Sequence, residues 1–75
     1  MPNNKKAQLL QAMRLYLGGV DYVSFSAQQR LYNRVMRLVY ALATDYNMDS
    51  SVVWKQAEDA ARKEGIIRPR VGQHV

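Results

Sequence analysis

A chain of 75 residues and 8.6 kDa holds one domain with few side chains to fill a core, and the lack of cysteine excludes disulfides as a supplement, leaving a second copy of itself as the inexpensive route to stability. Eleven basic residues against six acidic ones give a net charge of +5 and a pI of about 9.9, so the expected partner is acidic, either a protein surface or nucleic acid. No apolar run approaches the roughly 18 residues needed to cross a bilayer, and the basic start, residues 1–6, is followed by a stretch broken by Gln8, Gln11 and Arg14 without a small-residue cleavage site; a soluble, cytoplasmic protein with no membrane contact is expected.

The first helix is expected to start after Asn3 or Asn4, either of which caps it, and to end at the Gly18-Gly19 pair. Leu9, Leu10, Met13, Tyr16 and Leu17 share a face. Leu15 falls outside it, either as a scattered surface hydrophobe or as a contact with another chain. Residues 20–25 form a connector. Ser26 and Gln29 then have the spacing of a capping box, and Phe25 before them reads as a hydrophobic staple.

The segment 27–46 organises the fold. Leu31, Tyr32, Val35, Met36, Leu38, Val39, Leu42 and Ala43 recur at steps of three and four, while Arg30, Arg34 and Arg37 line the far side. An apolar arc this wide touches two partners, so the segment predicts the central helix of a bundle. Asn47 ends it by adopting the left-handed conformation. Asp49, Ser50 or Ser51 caps a third helix that runs to Glu64, with Gly65 as terminator and Val53, Trp54, Ala57, Ala60 and Ala61 as its buried stripe. Residues 66–75 contain Pro69 and Gly72 and lack a helical period, so they read as a flexible basic tail unless Ile66 and Ile67 tuck beneath the bundle. The expected architecture is therefore an all-α three-helix bundle over 1–65, with a tail over 66–75 and self-association into a homodimer as its stabilising option.

Charge is unevenly shared. The third helix balances Lys55, Arg62 and Lys63 against Glu58, Asp59 and Glu64, with Glu58–Arg62 and Asp59–Lys63 at the favoured spacing of four. The cationic field belongs to the first two helices and the tail. Arg30, Arg34 and Arg37 have no acid on their own stripe and predict a row that holds carboxylates or phosphates, with Arg14 and Tyr40 adjoining; a merely solvated face is the bland alternative. Arg68 and Arg70 flank Pro69 as a basic arm. Among the tyrosines, Tyr16, Tyr32 and Tyr46 fall on or beside core faces, whereas Tyr22 and Tyr40 are candidates for an interface.

A second reading is a helix-turn-helix unit, with its turn at 47–49 and the third helix reading DNA through Ser51, Lys55, Gln56 and Arg62. Three carboxylates on that helix would meet the phosphate backbone and repel it. Catalysis is not expected: the sole histidine, His74, lacks a preorganised partner, no nucleophile is paired with a base, and there is no glycine-rich phosphate loop, metal-ligand set or cofactor motif. A chain this short also struggles to enclose a small-molecule substrate.

Over 25–65, the run of Ser26, Gln28-Gln29, Leu31, Val35, Leu38 and Leu42, followed by the polar turn and Val53-Trp54-Lys55, resembles the small helical carboxy-terminal region of bacteriophage antirepressor-type proteins. The sequence departs from that pattern after Glu64, where Arg68-Pro69-Arg70 replaces the expected aromatic-containing segment, and it has no counterpart of their large amino-terminal domain. The resemblance implies a mobile-element origin and a role in binding rather than catalysis. Together these readings lead to the expectation of a small basic interaction protein that modulates a protein of host nucleic-acid machinery.

Overall fold

Short polar side chains decide where each helix begins. The computed structural model describes residues 4–19 and 23–68 and contains α1 (Lys5–Gly19), α2 (Phe25–Tyr46) and α3 (Ser50–Glu64), so the chain is an all-α three-helix bundle. Asn4 starts α1, its Oδ1 accepting the Ala7 N–H at 3.0 Å. Asp49 caps α3. Asn47, at φ 53° and ψ 49°, ends α2 in the left-handed region, where its N–H donates to the Ala43 and Thr44 carbonyls and the Met48 N–H donates to Ala43.

The start of α2 differs from the expected capping box. Ser24, extended at φ −63° and ψ 160°, is the cap, and its hydroxyl accepts the Ala27 N–H at 3.2 Å; Ser26 lies inside the helix. Gln29 does not reach back to the backbone but donates forward to Asn33 Oδ1. This register brings Gln28 against the end of α1, where its Nε2 donates to the Tyr16 carbonyl at 3.0 Å and satisfies a group that helix termini leave open. Among the described residues its Oε1 has no hydrogen-bond partner. Because Phe25 becomes the first helical residue, it staples nothing and stays 82% exposed.

The core joins Leu9, Ala12 and Met13 of α1 to Val35, Val39, Leu42 and Ala43 of α2 and Val53, Ala57 and Ala61 of α3. Met13, Val35 and Val39 are fully enclosed, and four alanines let the helices approach closely. Ala60, expected in the buried stripe, is exposed, and so is Tyr46. Leu15 is half-buried. One ring from each helix completes the packing. Tyr16, Tyr32 and Trp54 form a triangle with centroid separations of 5.8, 5.8 and 5.9 Å, and the Tyr16–Trp54 pair is edge-to-face.

The chain beyond α3 returns to α1. Gly65, at φ 108°, turns it, Arg14 Nε donates to the Gly65 carbonyl at 2.6 Å, and the Ile67 N–H donates to the Arg14 carbonyl at 3.1 Å. Ile66 and Ile67 are consequently half-buried, the tucked alternative of the two that the sequence allows. Gly18 makes this approach possible, since a Cβ there would collide with the Ile67 carbonyl. Residues 69–75, the greater part of the expected tail, lie outside the described residues.

Alanine normally gains up to about 1 kcal/mol over glycine inside a helix. Gly18→Ala is expected to reverse that sign and cost about 1–3 kcal/mol in urea unfolding, whereas Gly19→Ala, whose Cβ would meet the flexible end of Gln28 at 3.2 Å, loses less. Trp54 is half-buried, so Trp54→Ala is expected to cost about 2–3 kcal/mol, below the loss for a fully enclosed ring. A double-mutant cycle with Tyr16→Ala should show about 0.5–1.5 kcal/mol of coupling.

Candidate binding surface

The outward side of α2 carries Arg30, Arg34 and Arg37, all exposed, spread over two helical turns or about 10 Å. Helical spacing makes them one line because steps of four and three return to the same side. Among the described residues none of the three forms an ion pair, hydrogen bond or ring contact. Tyr40, 56% exposed, adjoins the row at its carboxy-terminal end.

Most of the described acids are committed elsewhere, which is why the row stays uncompensated. Asp45 at the end of α2 pairs with Lys5 at 2.8 Å, Glu58 with Arg62 at 3.0 Å and Asp59 with Lys55 at 3.5 Å. The last pairing differs from the expected Asp59–Lys63: on this helix both lysines are four residues from Asp59, and the one nearer the amino terminus is taken. Glu64 stands next to Lys63 in sequence. These surface pairs each contribute only tenths of a kcal/mol to stability, but they neutralise charge locally.

The other expected contact residues are distributed differently. Arg14 is half-buried and turned inward to Gly65, so its guanidinium holds the returning chain rather than joining the row. Arg68 is exposed at the end of the described chain and already has an interaction of its own. Tyr22 and Arg70 lie outside the described residues. Of the alternative reading helix, Lys55 and Arg62 are paired to carboxylates, and the Ser51 hydroxyl donates to Asp49 at 2.6 Å. Gln56 faces sideways into a groove of about 360 Å³ between α1 and α3, floored by Leu9, Leu42 and Val53. At its lip Lys6 sits 5.0 Å from the centre of the Tyr46 ring, a cation–π contact that accounts for the exposed tyrosine. Sequence spacing did not reveal this groove, because its lining comes from all three helices and depends on how they pack.

Among the described residues no three His, Cys, Asp or Glu side chains gather into a metal site, and no helix is long and apolar enough to cross a membrane. Comparison with family models, with curated proteins and with solved structures finds no match to this chain.

The Ser51 hydroxyl and the Ser51 N–H, at 2.6 and 2.8 Å, together hold the fully exposed Asp49 carboxyl below its ordinary value of 3.8. A depressed folded-state pKa means that the cap's contribution is present above 3.8 and is lost as pH falls through the lower folded value. Urea midpoints measured from about pH 5 down to about pH 2 should therefore fall more steeply for the native chain than for Asp49→Asn, which keeps a capping oxygen without the titration.

Proposed function

We propose that this chain is a non-enzymatic binding module that docks the Arg30–Arg34–Arg37 row, with Tyr40 beside it, onto an acidic surface of a protein of the nucleic-acid machinery and modulates that partner. The single observation that carries this reading is the lack of any partner for the three guanidiniums among the described residues, while four of the described acids are already paired or capping. Guanidinium groups favour interfaces because they bind carboxylates bidentately and are weakly hydrated, so a helical line of three matches a line of carboxylates on a partner. The resemblance to antirepressor-type proteins implies a mobile-element origin and a role in binding rather than catalysis.

A protein partner is favoured over DNA by the state of α3. Its two candidate phosphate ligands are already neutralised, and its face carries Glu58, Asp59 and Glu64, each of which repels a phosphate backbone. A protein surface needs contact with only the arginine side of α2 and leaves α3 free.

The test is retention of partners by the native chain and by the triple variant Arg30→Glu, Arg34→Glu, Arg37→Glu, whose substituted positions are all exposed and whose melting temperature should stay within a few degrees. Acidic proteins from the source cell should be held by the native chain and released by the variant, with single Arg→Ala changes weakening binding unequally. DNA binding that falls log-linearly with salt and weakens alike for all sequences when an arginine is removed points instead to the DNA reading. Equal retention of the same acidic proteins by native chain and variant would remove the row from function.

A further inference from the structure

A second surface, away from the arginine row, is largely apolar. Phe25, Gln29, Tyr32 and Met36 follow one another along α2 at steps of four, three and four, the spacing of a helix-pairing seam. Within the chain this seam is only partly covered. Phe25 is 82% exposed, Gln29 is exposed, Tyr32 is 39% exposed and Met36 is half-buried, because α3 covers the later part of α2 and leaves the first turns open. Two clefts flank Tyr32. One of about 260 Å³ is lined by Tyr16, Phe25, Gln28 and Gln29, and one of about 300 Å³ by Met36, Ser50, Ser51 and Trp54. No Lys, Arg, Asp or Glu lines either cleft, in a chain where 23% of residues are charged.

We propose that this flank is the self-association surface of the chain, taking a second copy whose α2 lies antiparallel. A twofold axis midway between Gln29 and Tyr32 sets Phe25 opposite the second copy's Met36 and Gln29 opposite the second copy's Tyr32, so each exposed phenyl ring enters the cleft between Tyr32 and Trp54 on the other copy. An isologous contact needs one patch that carries both knob and hole, and this flank carries both. Charge selects the occupant. Two copies at +5 repel wherever their cations face each other, and the lining of both clefts carries no cation, the nearest charge being the Asp49 carboxylate held by Ser51, with the arginine row about a third of a turn away around α2. An acidic partner, by contrast, finds no cation here. The small core gives self-association a stabilising role.

Sedimentation equilibrium of the full chain up to about 1 mM is expected to show a dimer, and Phe25→Glu to weaken it at least about tenfold with an unchanged far-ultraviolet circular dichroism spectrum, since Phe25 lies outside the core. Phe25→Ser serves the same purpose without introducing charge. Geometry is read by oxidation, because the chain has no cysteine of its own. A mixture of Phe25→Cys and Met36→Cys chains should cross-link to each other, whereas Phe25→Cys alone should not, its two thiols lying about 16 Å apart along the helix. A monomer at every concentration, a dimer indifferent to Phe25→Glu and Phe25→Ser, or rapid cross-linking of Phe25→Cys with itself each overturns the proposal. So does capture of a different protein through this flank without self-association. The arginine triple variant is expected to dimerise like the native chain, which separates this inference from the proposed docking of the row.

Discussion

The triangle of Tyr16, Tyr32 and Trp54 is the interaction on which the arrangement of the three helices turns. The enclosed core is built from small and aliphatic side chains, with Met13 the largest, and their interdigitation sets how closely the helices approach. Rings meeting at under 6 Å with edge-to-face or tilted geometry add an orientation preference, since their quadrupoles favour such arrangements over face-to-face stacking. The position of the triangle has a consequence for the surface. The three rings of this small chain are not enclosed on all sides; they end partly covered at one flank of the bundle, where they form the apolar patch beside Phe25.

The cationic side of α2 has a different origin. Acids on this chain are few, and four of the five described serve locally: one ties α1 to the end of α2, one caps α3 and two hold pairs along α3. Among the described residues none pairs with Arg30, Arg34 or Arg37, so three of the positive charges form a line with direction and spacing. The two surfaces are thus separated around one helix, one cationic and one largely apolar.

Much of the bundle was legible because its signals are local. Asn4, Asn47, Asp49 and Gly65 each act on backbone groups within four residues, and the three-and-four periodicity of α2 identifies Val35, Val39, Leu42 and Ala43 as core without knowledge of any neighbour. Ser24 shows where locality ends. Ser24 and Ser26 are both competent caps, and the structure uses Ser24, while Gln28 in the same first turns satisfies the Tyr16 carbonyl on another helix. The inward turn of Arg14 has the same origin: an arginine at the edge of an amphipathic stripe looks solvated until a carbonyl from residue 65 arrives beside it.

The sequence by itself determined three helices, most of their boundaries and an arginine line with no acid on its own stripe, because caps, periodicity and neighbouring charges are properties of residues close together in the chain. Tertiary structure alone decided that Gly18 must be glycine to admit the returning Ile67, that Lys6 covers Tyr46, and that Phe25 stands open beside two clefts. Each of these depends on the distance between segments far apart in sequence, and no local preference sets that distance; helix packing does.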